Sequence, residues 1–587
     1  MFFHNGGCMI VHQPVATPMH LFADDLSIVF GGAAGQGVQT ITSALIPVMK
    51  KEGYHLFSCT EYMSRIRGGS NSTQIRITGR KRQAYVSRID FLFALNAQAL
   101  EHLQERVSPS TLVFAEKALL PEACSGQCID TPLQAFASQA GNPVFSNTAA
   151  VGIVLGIMNI PLDTLTDYLR RQFAQKGETV VSQNITAASL GYAFGRQTAE
   201  TRDIRVEIPR HESQSGTLLM DGTAAAGIGA VAGGINFISS YPMSPGTGVL
   251  TFLAWQSQRF GIVTDQAEDE IAAINAGIGA SYAGARALVT TSGGGFALME
   301  EGLSLSGMTE TPIVIHIGQR PGPATGMPTR TEQADLNLVL FAGHGEFARA
   351  VFAPGSLEEI IETMQKACDL SQLFQIPVFV LTDQYLLDAV STIEATDIRL
   401  HPIASHIVMT SAGYEQYSLS EDGLSPRGVP GYGEGLVRAD SHEHDENSRS
   451  TERFDVRKTM VDKRLRRLKT LRESALMPTL IGRADAAETL IISWGSTRGV
   501  LEEALDRLGN PGIAGMHFSQ VFPINPALRH LLEGKRLAVL ENNATGQFAD
   551  LLGLETGRKI QHRILKATGQ PFSVEELVES IRETDHA

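Results

Sequence analysis

The sequence predicts an α/β protein of three units with mainly parallel sheets, and three observations carry that prediction. Short apolar runs stopped by glycine or proline alternate with segments of helical spacing, the pattern of strands joined by covering helices. A length of 587 residues exceeds one hydrophobic core and divides into about three or four units at roughly 100–200 residues each. Two polar stretches, 197–216 and 393–486, separate the apolar zones from one another.

Residues 1–24 hold His4, Asn5, His12 and two prolines without a continuous apolar run, which reads as an N-terminal extension and not as a secretory signal. The first unit is expected over 25–196. Leu26-Ser-Ile-Val-Phe reads as a buried strand stopped by glycines, and Val38 to Lys51 has helical spacing after it. Val86 to Leu95 and Thr111 to Phe114 are further strands, and Leu162 to Gln175 is an amphipathic helix after Pro161. The second unit, 217–392, begins with a Gly- and Ala-rich helix in Gly222 to Phe237. Its strands are expected at Asn236–Ser239, Ile262–Thr264, Arg286–Thr290, Pro312–Ile317 and Ile376–Thr382. In the connector 393–486, Asp440 to Arg453 alternates in charge and the basic segment Arg457 to Arg472 should be helical. The last unit, 487–587, opens with a strand at Thr489 to Trp494, continues with one at Arg536 to Leu540 and closes with a helix over Val574 to Arg582.

Lys+Arg 48 against Asp+Glu 62 gives a net charge of −14, which repels phosphate and argues against general binding to nucleic acid or anionic membrane. No apolar run has the length of a spanning helix. Five scattered cysteines do not make a disulfide framework, so a reducing, cytoplasmic setting is expected. Cys124 and Cys128 lack the further ligands of a metal site, and His442 and His444 among the acids of 440–446 read as a solvated charge run; no metal ligand set is expected in this chain. The 57 glycines, above the usual roughly 7%, require many positions of positive φ or close backbone approach.

The glycine clusters are the first candidates for chemistry. Gly31-Gly-Ala-Ala-Gly35-Gln-Gly37 joins strand to helix, where backbone N–H groups can meet phosphate oxygens; a tight structural turn would use the same residues. In Ser64-Arg-Ile-Arg-Gly-Gly69, Arg65 or Arg67 could pair with a phosphate or carboxylate, or form a surface salt bridge. Prolines on both sides of Ser244 in Tyr241-Pro-Met-Ser-Pro245 stiffen a turn that projects a hydroxyl. Glu268-Asp-Glu270 stands at a helix start, where acids serve as caps by default, yet Glu270 could share a proton with a heteroaromatic ring nitrogen. Thr290 to Gly295 and Gly318 to Gly326 are turns that a parallel sheet collects at its carboxyl edge; Arg320 there could grip a carboxylate or form a loop salt bridge.

These motifs together resemble the alpha subunit of 2-oxoacid:ferredoxin oxidoreductases in the arrangement with a gamma domain fused at the N-terminus. The gamma-like part holds Gly31 to Gly37 and Glu61 to Gly69; the alpha-like part holds Tyr241 to Pro245, Glu268 to Gly279, Thr290 to Gly295, Gly307 to Pro312, Gly326 to Asp335 and Thr382 to Tyr385. The resemblance implies a gamma-type domain, a thiamine pyrimidine-type domain and a C-terminal transketolase-like domain. It also implies the reaction: oxidative decarboxylation of a 2-oxoacid, with 2-oxoglutarate favoured, to acyl-CoA, CO2 and reduced ferredoxin. Thiamine diphosphate is then shared with a beta subunit that carries magnesium and an iron–sulfur cluster, in keeping with the lack here of a Gly-Asp-Gly…Asn motif and of cluster cysteines. Coenzyme A is the co-substrate, and a dimer of alpha–beta heterodimers is expected.

Residue by residue, the resemblance gives Glu270 the thiamine aminopyrimidine, with Glu268 as the alternative two positions away. It gives Ser244, Arg320 and Thr329 the substrate, and Gly31, Gly35, Gly37 with Arg65 or Arg67 the CoA. Ser244 stands where Thr is common, Met243 replaces Ile, and Gly222 lacks the Asn-Glu that often follows. A subunit of a different thiamine-dependent enzyme, or a non-catalytic assembly partner, would share these folds.

Overall fold

The computed structural model describes residues 20–63, 69–120, 125–211 and 216–586, and its strands form three large sheets and one two-stranded sheet in which most neighbours are parallel. The first sheet has eight strands. In its parallel half Asp25–Ala33 lies beside Phe91–Ala94, followed by Leu112–Ala115 and Gln127–Asp130. Leu26, Ile28, Val29 and Phe30 are fully buried, since helices cover both faces and leave no side for polar alternation. The helix Val38–Lys51 follows as its spacing predicts, with Lys50 and Lys51 in the last turn, where the helix dipole favours cations. The helices Ser146–Ile157 and Glu178–Thr201 pack backbone to backbone: a Cβ on Gly152 would lie 2.2 Å from the Ala188 carbonyl oxygen, and one on Gly191 2.1 Å from that of Ala149.

The other half of this sheet is antiparallel, which departs from the parallel pattern expected of the first unit. His55–Glu61 and Ser70–Thr78 are joined by less chain than the roughly dozen residues a parallel crossover needs, so they pair as neighbours running opposite ways. Beyond them lie Val390–Glu394 and Thr217–Asp221, paired with each other along their full length. The first and last strands around the second unit thus extend the N-terminal sheet.

The second sheet has seven strands in the order Val263–Gln266, Phe237–Ser240, Ala287–Thr291, Ile313–Gln319, Pro377–Asp383, Ala350–Phe352 and Gln520–Phe522. All are parallel except the last, which arrives from the C-terminal part of the chain. The Gly- and Ala-rich helix is Gly222–Ala232; its small residues let it sink onto the helix Leu357–Phe374, where a Cβ on Gly229 would come within 2.7 Å of the Ile361 carbonyl oxygen. The third sheet orders Thr479–Ile481, Ile513–Phe518, Thr489–Trp494, Arg536–Glu541 and His562–Leu565. No helix among the described residues is long and apolar enough to cross a membrane.

After the short 3-10 turn Ala395–Asp397 the connector runs without helix or named strand to the helix Phe454–Glu473, but its charges are not all solvated. Lys463 and Arg467 bury their head groups on Glu310, with Lys463 Nζ 2.6 Å from Glu310 Oε2. His444, expected in a solvated run, is fully buried and stacks on Tyr417 at 3.9 Å, because the irregular chain wraps the second unit and carries its own aromatic cover; His442 stays exposed on Asp440.

Arg76, 1% exposed, ties the first unit to the last: its guanidinium donates to both carboxylate oxygens of Glu503 at 2.8 and 3.0 Å and also contacts Asp25. Removing one partner of a buried pair leaves the other charge uncompensated. Glu503→Ala is therefore expected to destabilise the chain by about 3–5 kcal/mol in chemical denaturation. Asp506, half-exposed and shared by Arg80 and Arg82, pairs near solvent, and Asp506→Ala is expected to cost about 1 kcal/mol, less than Glu503→Ala.

Candidate functional site

The carboxyl ends of the second sheet gather the turns the sequence singles out. After Phe237–Ser240 the Tyr241–Pro245 turn leaves Ser244 exposed, and the turn is tied at two carbonyls. Arg320, one residue beyond Ile313–Gln319, donates through Nη1 to the Ser244 carbonyl oxygen at 2.7 Å; its Nη2 lies 3.6 Å from Met243 Sδ. Among the described residues Arg320 has no carboxylate within ion-pairing distance, so its charge is uncommitted; partial burial pushes its pKa down, against the pull of Asp335.

The second tie runs through the sheet. Thr290 Oγ1 donates to the Gly246 carbonyl oxygen at 3.3 Å and lies 2.8 Å from His316 Nδ1, while His316 Nε2 is 2.8 Å from Thr382 Oγ1. With the Thr290 proton given to Gly246, Nδ1 donates and Nε2 accepts. Full burial holds this imidazole down to about 4 and hence neutral at ordinary pH.

Glu270 opens the helix Glu270–Tyr282. Asp269 caps that helix by accepting from the Ala272 N–H at 2.7 Å, which frees Glu270 from capping. Glu270 is 3% exposed and its Oε1 is buried without a partner; Glu268 is exposed. Beside it the chain turns through Gly293–Gly295, and the Oγ atoms of Thr291 and Ser292 are also buried and unpartnered. A Cβ on Gly295 would stand 2.1 Å from Thr291 Oγ1 and 2.5 Å from Glu270 Oε1, and one on Gly293 would stand 2.2 Å from Asp335 Oδ1. Two carboxyls thus close on the three-glycine turn from either end.

Asp335 was not singled out from the sequence, although it ends the run Gly326 to Asp335. Its Oδ2 is buried and unpartnered, and burial with the Glu332 charge pushes its pKa up to about 7 against Arg320. The C-terminal unit fixes this loop through Gln333, fully buried, whose side chain donates to the Trp494 carbonyl oxygen at 2.8 Å and accepts from the Asn542 N–H at 2.8 Å.

The remaining candidates lie elsewhere. Gly35 and Gly37 have φ of 88° and 82°, and Gly37 caps Val38–Lys51 so close to Asn147 that a Cβ would stand 1.8 Å from its Nδ2. Asn147 Oδ1 is buried without a partner, and it lines a pocket with Gly35, Gln36 and Ser146. Gly31 lies within the strand, where a Cβ would press to 2.9 Å of the Ala99 Cβ. Thr329 lines a cavity with Glu61, Arg330, Tyr85 and Gln384, where the first sheet, the second unit and Gly569 to Pro571 of the C-terminal unit meet; neither Ser244 nor Arg320 borders it. There Glu61, though burial pushes it up, is held at about 2 by His102 and Arg330. Arg65 and Arg67 fall outside the described residues.

A parallel sheet whose carboxyl edge presents a buried glutamate oxygen without a partner among the described residues, an arginine outside any ion pair and glycine-opened turns is the ligand-binding edge of an α/β protein. Residues 228–463 match the family described as pyruvate flavodoxin/ferredoxin oxidoreductase, thiamine diphosphate-binding, and residues 27–194 match pyruvate ferredoxin/flavodoxin oxidoreductase. The alpha subunit of 2-oxoacid:ferredoxin oxidoreductase from Saccharolobus solfataricus is 30% identical over 95% of this chain and 97% of its own length. The 2-oxoglutarate oxidoreductase subunit KorA of Mycobacterium tuberculosis is 28% identical, over 97% of this chain and 92% of its own. The solved 2-oxoglutarate:ferredoxin oxidoreductase from Magnetococcus marinus, with 2-oxoglutarate, coenzyme A and succinyl-CoA bound, superposes with a TM-score of 0.89 at 29% identity, covering 95% of this chain and 99% of that one. The chain belongs to the 2-oxoacid:ferredoxin oxidoreductase family, and is an oxidoreductase subunit carrying a thiamine diphosphate-binding type of domain.

The turn supplies its own test. Gly295→Ala forces a methyl into two buried oxygens and is expected to cost about 1–3 kcal/mol in chemical denaturation. Gly294→Ala, whose Cβ would meet only the Ala324 carbonyl oxygen at 3.7 Å, is expected to cost less than about 1 kcal/mol, a small change for space that is already open.

Proposed function

We propose that this chain is the gamma-fused alpha subunit of an enzyme that oxidatively decarboxylates a 2-oxoacid, 2-oxoglutarate in first place, to acyl-CoA, CO2 and reduced ferredoxin. A beta subunit contributes the diphosphate and magnesium site and the iron–sulfur cluster, in a dimer of alpha–beta heterodimers. The observation that carries the reading is Glu270 Oε1: a buried carboxylate oxygen without a partner at a sheet's carboxyl edge is costly unless a ligand supplies the missing hydrogen bond. A protonated ring nitrogen of thiamine fits that donor role, and the Thr291 and Ser292 hydroxyls offer further polar contacts beside it. Thiamine diphosphate, when bound, supplies the carbanion chemistry of decarboxylation.

Each residue of this chain then has a task. Glu270 holds or shares the proton at its Oε1, in a place that excludes water. Arg320 offers a planar cation to the oxoacid carboxylate, its Nη1 keeping the Ser244 carbonyl in place while Ser244 itself stays exposed. Gly35 and the Asn147 amide line the pocket assigned to CoA, and Gly37 makes room for that amide.

In the assembled alpha–beta complex, Glu270→Gln is expected to lower turnover by at least about tenfold, or roughly 1.4 kcal/mol, and to weaken thiamine diphosphate binding in calorimetry. Unchanged values there, with loss in Glu268→Gln, would transfer the role to Glu268. Arg320→Lys keeps the charge but loses the fork, and is expected to raise the 2-oxoacid KM more than the thiamine diphosphate Kd. The chain purified alone is expected to reduce no ferredoxin with any 2-oxoacid; turnover by it would overturn the division of the site between subunits.

A further inference from the structure

We propose that Asp335 sets the affinity of the oxoacid site: packed against the Gly293 turn without an ion pair to Arg320, its carboxyl leaves the guanidinium charge for a substrate carboxylate, and it weakens that charge's pull when it ionises. The inference rests on the substrate role given to Arg320 above.

Geometry is the first support. Asp335 is fixed on two sides, since its backbone N–H donates to Gln319 Oε1 at 3.1 Å and its carboxyl fills the space a Cβ on Gly293 would take, with Oδ1 at 2.2 Å and Oδ2 at 2.5 Å from that point. Gln319 immediately precedes Arg320, so Asp335 is anchored at the strand end from which Arg320 extends. The carboxyl does not complete an ion pair: Oδ2 is buried with no partner, and Arg320 spends its Nη atoms on Ser244 and Met243. A buried, unpaired carboxylate is strongly disfavoured, whereas the neutral acid loses much less.

The charged surroundings agree. Glu332 faces it from its own loop and disfavours ionisation; Arg320 faces it from the strand end and favours it; Glu270 lies beyond Gly295 on the far side of the turn. Neutral amides hold it and its loop: Gln319 on the strand accepts from its N–H, Gln333 is fixed on the C-terminal unit, and Gln547 donates to the Ala334 carbonyl oxygen at 2.8 Å from the C-terminal helix Gln547–Thr556. Burial and Glu332 prevail, raising the group to about 7. Below that pH Asp335 is a neutral acid; above it a second negative charge competes with the substrate for Arg320.

The test is the KM of the assembled alpha–beta complex for 2-oxoglutarate between about pH 6 and 8.5, at saturating CoA and thiamine diphosphate. For the parent, the competent fraction falls to about one in ten a pH unit above the midpoint, so the KM is expected to rise about tenfold from pH 6 to pH 8 while the KM for CoA stays level. Asp335→Asn, which keeps the shape of the neutral acid, is expected to flatten the rise. Glu332→Gln, at a partly exposed position that leaves the buried contacts intact, removes the like charge and is expected to move the rise to lower pH. A parental rise in Asp335→Asn, or a rise in Glu332→Gln at the parental pH or above, overturns the proposal. If Arg320→Lys raises the KM while Asp335→Asn keeps the rise, only the Asp335 inference falls; if Arg320→Lys leaves the KM untouched, the substrate role of Arg320 falls and takes this inference with it.

Discussion

The pairing of Thr217–Asp221 with Val390–Glu394 is the constraint on which the rest of the chain depends. It brings together the two ends of the second unit, so that everything between them closes into one body. It also lays Val390–Glu394 against His55–Glu61, which would otherwise end the first sheet with a row of unpaired backbone groups. The last strand of the second sheet comes in turn from the C-terminal unit, and Arg76 anchors on Glu503 across the outer interface. Backbone hydrogen bonds, shape and a buried charge pair therefore hold the units in one arrangement.

That arrangement decides what the sheet edge can present. The strands bring Ser244, Glu270, Thr291 and Arg320 to one edge, but the loop holding Asp335 would be free without Gln333, whose amide is satisfied only inside the C-terminal unit. The Gly293–Gly295 turn then allows two carboxyls to approach where any larger residue would force them apart. Polar atoms left unpartnered in a protein interior are costly, and here Glu270, Thr291, Ser292 and Asp335 concentrate that cost around a single turn. Rigid support from three directions is what makes such a cluster tolerable.

Much of this was legible in the sequence because strand runs and glycine stops are local signals. Thr489–Trp494 and Val38–Lys51 fall where the apolar pattern puts them, and the basic segment is helical as its spacing indicates. The antiparallel half of the first sheet was not legible, since Thr217–Asp221 and Val390–Glu394 are short and find their partners across long stretches of chain. At the candidate site, Glu270 stood out through its motif, and burial separates it from exposed Glu268. Asp335 did not stand out, because an aspartate before a short helix reads as a cap, and only the packing against Gly293 reveals a different setting. The buried His444 misled for the complementary reason: acidic neighbours in sequence say little about which side chain the fold turns inward.

The seat of the connector helix has a thermal consequence. Lys463 and Arg467 surrender their hydration to reach Glu310, and that loss weighs most in the cold. As temperature rises the hydration of ions becomes less favourable, so the desolvation penalty shrinks while apolar packing gains little more. Heating therefore shifts the balance at this seat toward the ionic cluster, and the long irregular wrap that ends in the helix Phe454–Glu473 is fastened by the kind of contact that ages best with warmth.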